Sequence, residues 1–403
     1  MIISERKQKI LSKIAYSCFY VGVVIEVLLV LIDKSAYTNP IEGQIFRLTF
    51  LLFLTKVGLT KYSKKEYLVI VAFCILGAVS YFATGRNEII RIVMFIAACK
   101  GIDMRKCLKM VFYMTLVGSA LIMLLSVMGV YGAISLTQDY GRGGVETRYT
   151  LGMGHPNALQ CMIWALTTLG LYLYAEGMKW YHYLLTLIIN IFFFLLTDSR
   201  TSLLVTVFAI IISYMATRKK IQIFSKLSAM IGIATTLFGI GFSVVVAGSA
   251  YRVYNYMWDI DRRPFTVLLA KLNELLNGRI RMLTGNEGCE GTIGTWSLFS
   301  RPENNYYFDM GWIRLFYWYG IIPASIFILV ILGVMFYCYQ KKQYLVIALI
   351  ASFSVYSIIE AHAVSVYLAR NYVLFLIGAN WINAMEWLMK NCKMNLMAGW
   401  RKV

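Results

Sequence analysis

Arg200 lies in Asp198-Ser199-Arg200-Thr201-Ser202, a polar stretch between two long apolar runs. An arginine at membrane depth is costly unless paired, and it usually marks a site. Its rigid fork of donors grips phosphate or carboxylate bidentately, which makes Arg200 the first choice for a phosphate ligand. The competing reading is an ion pair with Asp198 beside a Ser199 or Thr201 helix cap. Upstream, Arg148 leads into Tyr149-Thr150-Leu151-Gly152-Met153-Gly154-His155-Pro156-Asn157. Glycines permit tight turns and Pro156 suits a first helical position, so His155 is expected at a helix N-terminus, facing an anion or a sugar hydroxyl. There it can take a proton or serve as a plain cap.

Three further constellations follow. In Asn277-Gly278-Arg279-Ile280-Arg281, Gly278 can end a helix at its C′ position and set Arg279 above the outer leaflet, for a phosphate ligand or for ordinary headgroup contact. In Asn304-Asn305-Tyr306-Tyr307-Phe308-Asp309-Met310-Gly311-Trp312-Ile313-Arg314, Asp309 can be a base, a sugar-hydroxyl acceptor or a helix cap. Asp309 and Arg314 fall on opposite sides of a helical turn, so they need not pair. In Glu360-Ala361-His362, the carboxylate can tune the histidine as a proton acceptor. Residues i and i+2 do not share a helix face, so that contact requires a break in the helix. His182, within Trp180-Tyr181-His182-Tyr183, fits an aromatic interfacial belt instead.

The elements that must carry these residues are apolar. Hydrophobic residues make up 59% of the 403 and charged residues only 15%, against about 25% charged in soluble proteins. An all-α polytopic membrane protein follows, as one integral membrane domain over residues 1–403. Windows of roughly 20 apolar residues suffice to cross the hydrocarbon. They fall at 14–32, 44–60, 66–83, 87–99, 106–132, 157–176, 180–197, 200–217, 226–250, 310–339, 343–360 and 371–389, so about twelve spans are expected. The window 87–99 is the weakest, being short and carrying Arg91. Two outer loops are long, 133–156 and 251–309, the second between the ninth and tenth spans. Within it, apolar residues at helical spacing mark an amphipathic helix over 264–276.

Charge tests this topology. With both termini cytoplasmic, 19 of the 21 lysines fall on the inner side and 14 of the 18 arginines on the outer side. Topology accounts for the lysines but not for the arginines, since positive residues avoid the translocated side. An arginine-rich outer face therefore implies an anionic, phosphorylated ligand. The net charge of +19 sits in short clusters beside apolar runs, which fits anionic lipid rather than nucleic acid. The long first run with its basic flank is expected to be a retained cytoplasmic start and not a cleaved signal peptide. The eight cysteines lie mostly in or beside apolar segments, with only Cys289 in a long outer loop, so neither a disulfide framework nor a metal cluster is expected. Phosphate-loop, HExxH, CxxC and GxSxG signatures are all missing. No metal or cofactor is called for, and without nucleotide hydrolysis an outer enzyme needs a pre-activated donor such as a lipid diphosphate-linked sugar.

In topology and in local motifs the chain resembles the bacterial polysaccharide polymerases, the Wzy-type O-antigen and capsule polymerases, which are related to the O-antigen ligases. The motifs are Gly152-Met153-Gly154-His155-Pro156-Asn157, Ser199-Arg200-Thr201, Asn277-Gly278-Arg279, and Asp309-Met310-Gly311-Trp312 followed by Leu315 and Gly320. The acidic or histidine residue that the family places before asparagine appears here as Asp309 before Met310. The resemblance implies a GT-C-like glycosyltransferase in the bacterial cytoplasmic membrane, with its active face extracytoplasmic. It would move a glycan from undecaprenyl diphosphate to the terminal hydroxyl of an incoming lipid-linked repeat unit, building O-antigen, capsule or exopolysaccharide. Arg200, Arg279, Arg148 and Arg314 would hold the leaving diphosphate. His155, His362 and Asp309, in that order, are the choices for proton acceptor, with Asn157, Glu360 and Asn305 on sugar hydroxyls. Partners on this reading are lipid-linked donor and acceptor, the bilayer, a chain-length regulator and a flippase. The alternatives are a ligase-type transferase, and a flippase or secondary transporter, which would show repeated halves and midplane sites.

Overall fold

A computed structural model describes residues 5–140, 144–218, 222–258, 260–285 and 290–400. The chain is mostly helical, at 75%, as a membrane protein of this composition should be. In order come α1 (Glu5–Lys34), α2 (Glu42–Gly58), α3 (Lys64–Thr84), α4 (Glu88–Ala98) and α5 (Met104–Val127), then strands β1 (Ser135–Asp139) and β2 (Val145–Tyr149). There follow α6 (Pro156–Tyr174), α7 (Trp180–Thr197), α8 (Arg200–Ala216), α9 (Gln222–Met257), α10 (Pro264–Leu275) and α11 (Arg279–Met282). The last four are α12 (Gly311–Tyr319), α13 (Ile321–Gln340), α14 (Tyr344–Tyr356) and α15 (Tyr372–Trp400). Among the described residues, 7 helices are long and apolar enough to cross a membrane: α1, α3, α5, α6 with its extension to Gly177, α7, α9 and α13. Helices α8 and α14 are apolar but shorter.

The structure departs from the expected elements in three places. The loop 133–156 contains an antiparallel hairpin, β1 on β2 with Leu136 opposite Arg148, so the chain is not purely α-helical. The helix expected over 264–276 is present as Pro264–Leu275, burying Leu269 and Ala270 and leaving Phe265, Leu268 and Leu275 exposed. The window 310–339 is not one helix but breaks at Gly320, whose φ is +95°. A Cβ there would come within 2.6 Å of Phe299 Cα, so only glycine lets the loop before α12 lie against the break. The freed amides of α13 are met by that loop, Ile321 N–H donating to Ser297 O at 2.9 Å and Ile322 N–H to Leu298 O at 3.0 Å. Finally, the window 343–360 stops as helix at Tyr356. Residues 357–371 form instead a strap with 3₁₀ turns at Ala361–Val364 and Leu368–Arg370.

That strap is anchored from beneath. Arg91 of the short helix α4 is buried, donating to Glu26 Oε1 at 3.1 Å and to Val366 O at 3.0 Å, with Phe46 4.0 Å away under its guanidinium. Glu26 also accepts from Thr49 Oγ1 at 2.6 Å and from Leu368 N–H at 3.0 Å. These added hydrogen bonds support the buried ion pair, although Arg91 Nε has no acceptor. This explains how a short apolar helix tolerates an arginine.

The two ends of the bundle differ in chemistry. At one, Lys56 donates to Lys100 O at 3.0 Å, Lys100 pairs with Glu66 at 2.7 Å, and Arg105 donates to Leu173 O at 2.7 Å. At the other, Gly154 N–H donates to Lys34 O at 2.9 Å, which seats the hairpin's exit on α1, and the arginines gather.

Candidate functional site

Arg279 is the hub. Helix α10 closes with Gly278 N–H on Asn273 O at 2.8 Å and Asn277 N–H on Glu274 O at 3.0 Å, a Schellman pattern with Asn277 at C′. Asn277 is left-handed at φ +52° and Gly278 follows at +77°, so the turn begins one residue before the glycine. The reversal drives Arg279 inward until it is 6% exposed. Its Nη2 donates to Glu360 Oε1 at 3.0 Å and its Nη1 to Leu276 O at 3.3 Å, while Nε lies 3.6 Å from Asp309 Oδ2 without a hydrogen bond. Burial pushes the Glu360 carboxyl up and the Asp309 charge adds to this, against the fields of Arg279, Arg370 and Lys34.

Helix α12 brings a second guanidinium. Gly311 packs so closely on the strap that a Cβ would meet Glu360 O at 2.6 Å, and Trp312 donates from its backbone to Ser357 O at 3.1 Å and from its indole to Ser354 O at 2.9 Å. One turn on, Arg314 is 2% exposed with its guanidinium 3.8 Å from the Tyr307 ring centroid and 4.8 Å from that of Trp318. Its Nε and Nη2 have no acceptor. Arg370, on the strap, meets the Cys161 sulfur and lies in the fields of Asp33, Glu360 and Tyr307, yet its Nε has no acceptor either. Among the described residues no carboxylate is within ion-pair distance of Arg314 or Arg370, in contrast to Arg279. Arg314 is buried and Arg370 partly so, and a charge in such a place is costly without a counter-charge, so the two could receive an anion.

The hairpin and α6 complete the rim. Arg148 on β2 is 5% exposed, bonded to Glu146, 3.6 Å from Asp198 Oδ2 and 4.0 Å from the Tyr140 ring centroid. His155 caps α6, its Nδ1 accepting from Asn157 N–H at 3.1 Å. With Nδ1 so used, the neutral ring carries its proton on Nε2 and presents a donor, not a base. Burial lowers its pKa below the ordinary value; Asp309 opposes this, and Arg148 and Arg279 reinforce it. Arg200 stands on the same rim but outward, its side chain 67% exposed and 3.5 Å from Asp198 Oδ1, so the local ion pair does form.

Not every residue singled out by sequence converges. His362 is 0% exposed, enclosed by Trp164, Tyr356 and Phe353, with Nε2 3.6 Å from Cys161 Sγ. The helix break that a Glu360–His362 contact needs is present, but the strap turns Glu360 toward Arg279 and His362 into the aromatic cage. Asn305 is exposed, whereas its neighbour Asn304 bonds Ser300 Oγ at 3.0 Å and bridges the loop to α12. Asn157 contributes its backbone amide to His155. Arg370, which opens the last apolar run just after Glu360-Ala361-His362, joins the cluster although the sequence assigned it no ligand role. Lys34, one of the two lysines on the arginine-rich side, pairs with Asp33 at 2.8 Å and acts on Glu360. Comparison of the chain with protein-family models, with curated proteins and with solved structures gives no match.

Proposed function

We propose that the chain is a membrane-embedded glycosyltransferase that polymerises lipid diphosphate-linked oligosaccharide repeat units at the outer face of a bacterial cytoplasmic membrane. The observation that carries this reading is the set of buried guanidinium donors without protein acceptors, on Arg279, Arg314 and Arg370. Preorganised donors of this kind stabilise charge that develops as a diphosphate departs. In the reaction, a carboxylate takes the proton of the acceptor sugar's hydroxyl, that oxygen bonds to the anomeric carbon of the donor, and the bond from that carbon to the diphosphate oxygen breaks. Asp309 suits the base, since its side chain is 30% exposed and lies at the hub, unlike the enclosed His362. Neutral His155 supplies a donor from Nε2. Arg148 and Arg200 share Asp198 at the mouth, and Arg200 is free to swing onto an arriving lipid headgroup. This reading carries with it about twelve crossings in a GT-C-like arrangement and both termini in the cytoplasm.

A transporter would also have broken helices, and the chain does break at Gly320. That break lies at one end, however: α13 alone has 20 residues, about 30 Å of helix and a full hydrocarbon thickness. The polar residues therefore stand at the rim and not at a midplane. A ligase would use the same site with a different acceptor. Reconstitution with purified lipid-linked repeat units as the sole substrate tests the proposal. A ladder of products from the native chain, absent from Arg279→Ala and Arg370→Ala, is expected; a native-like ladder from both variants would end it.

A further inference from the structure

The lysine-rich end of the bundle, opposite the arginine rim, holds a cavity of about 690 Å³, a size typical of small-ligand pockets. Four segments build it. The turn from α4 into α5 supplies Lys100 and Arg105, the end of α6 leads to Glu176, the turn from α13 into α14 supplies Lys342 and Gln343, and α15 supplies Asn380. Gly378 lets α15 approach the first of these turns, because a Cβ there would stand 2.5 Å from Cys99 Sγ. We infer that this cavity binds the phosphodiester of an anionic membrane lipid. The assignment is independent of the reaction proposed for the rim.

Charge selects the ligand. Among the described residues the lining has three cationic side chains, Lys100, Arg105 and Lys342, and one carboxylate, Glu176. Glu66 pairs with Lys100 from outside the cavity at 2.7 Å, which leaves a single positive charge over. A phosphodiester carries a single negative charge, whereas a phosphomonoester carries about 1.5 to 2. Arg105 donates through Nη2 to Leu173 O at 2.7 Å, but its Nη1 stands 3.9 Å from Glu176 Oε2, too far for a hydrogen bond, so the fork keeps room for an oxyanion. Lys342 is held in place under strain. Helix α13 ends in a Schellman motif, with Gln343 N–H on Cys338 O at 2.8 Å and Lys342 N–H on Tyr339 O at 3.1 Å, and Lys342 sits at C′ with φ +56°. Glycine or asparagine normally fills that left-handed position. A strained residue whose side chain lines a cavity points to a role there. The remaining wall is largely apolar, with Ile102, Val346 and Ile382 beside the basic groups. That suits the glycerol and first methylenes of a lipid and gives a soluble phosphodiester little to bury. Basic pockets between membrane helices suit such headgroups.

The test is native mass spectrometry of the full chain in detergent, with phosphatidylglycerol, phosphatidylcholine or soluble glycerophosphoglycerol added at equal concentration. A single phosphatidylglycerol should be retained per chain, about fivefold or more over phosphatidylcholine, whose ammonium cancels its phosphate charge, and over glycerophosphoglycerol. Arg105→Gln and Lys342→Gly should each cut retention about fivefold, the worth of one basic side chain at a charged headgroup. Lys65→Gln, which removes an exposed charge from the same end, should leave retention unchanged. Lys342→Gly carries its own control, because glycine relieves the left-handed strain: its melting temperature should match or exceed the native one while retention falls. Native retention in the combined Arg105→Gln and Lys342→Gly variant, an equal loss in Lys65→Gln, or equal retention of phosphatidylcholine would overturn the site. Glycerophosphoglycerol held as firmly as phosphatidylglycerol would overturn its assignment to a membrane lipid.

Discussion

His155 uses one ring nitrogen to begin α6, and this decides what it can do at the rim. Replacing it with asparagine keeps a side-chain oxygen for the cap, so His155→Asn is expected to fold normally and to lose less than about tenfold in rate. Asp309→Asn removes a base and should lose about 10²–10⁴-fold, measured as initial rates on lipid-linked repeats. The chain has only 3 histidines, so ¹³C-histidine NMR can follow the titration of His155 directly. Its midpoint is expected below the ordinary 6.5, because burial and the charges of Arg148 and Arg279 outweigh Asp309. Protonation puts a hydrogen on Nδ1 toward the Asn157 amide, so the cap is lost as pH falls through that midpoint. Arg148→Gln should raise the midpoint and Asp309→Asn should lower it. Arg279→Ala leaves Glu360 buried beside Asp309 without its cation, a loss of about 3–5 kcal/mol. Adding Glu360→Gln should restore abundance but not activity. At this scale the polar residues in an apolar chain were legible by type. Arg200 shows what was not: its exposure depends on the Asp198 turn. Arg370 and Lys34 reach Glu360 from opposite ends of the chain, a convergence that no local spacing records.

Among the elements, the glycines of the α12 region matter most because backbone passes against backbone there. Gly320→Ala combines a strained φ with a contact on Phe299 Cα and should destabilise the protein by about 1–3 kcal/mol or more, read as a lower melting temperature in detergent. Gly311→Ala is different in kind. Its Cβ would displace Glu360 O and with it the partner of Arg279, so activity should fall further than stability. If the two fell in proportion, the strap would not be positioning the site. Apolar windows located the helices well, since hydropathy reports burial in lipid or core whatever the neighbours. They could not show that 310–339 is two helices, although Gly320 three residues before Pro323 fits a helix ending and another starting. The hairpin escaped notice because its pairing of Thr137 with Thr147 sits in a polar loop with no strong alternation.

For the molecule as a whole, the Glu26–Arg91 pair ties α1, α2 and α4 to the strap. Arg91→Leu should strip Glu26 of its cation and destabilise by about 3–5 kcal/mol, and Arg91→Leu with Glu26→Leu should recover much of that. The paired variant then isolates any effect on activity that comes from a loosened strap. The separation of lysine and arginine, visible in the sequence, coincides with two chemically distinct ends of the bundle. Cysteine reporters at positions 64 and 200 should label from opposite sides of sealed vesicles, and labelling from the same side would remove the basis for an outer site. The tertiary anchor itself was hidden, because Glu26 and Arg91 are ordinary exceptions in two separate apolar runs until the fold joins them.

Helix α13 begins under two carbonyls lent by the loop that precedes α12, those of Ser297 and Leu298. Any foreign segment grafted into this loop must reproduce that short stretch of main chain, whatever else it changes. Grafts that keep 297–300 and vary the residues before it should insert and accumulate normally; grafts that replace it should fail to accumulate.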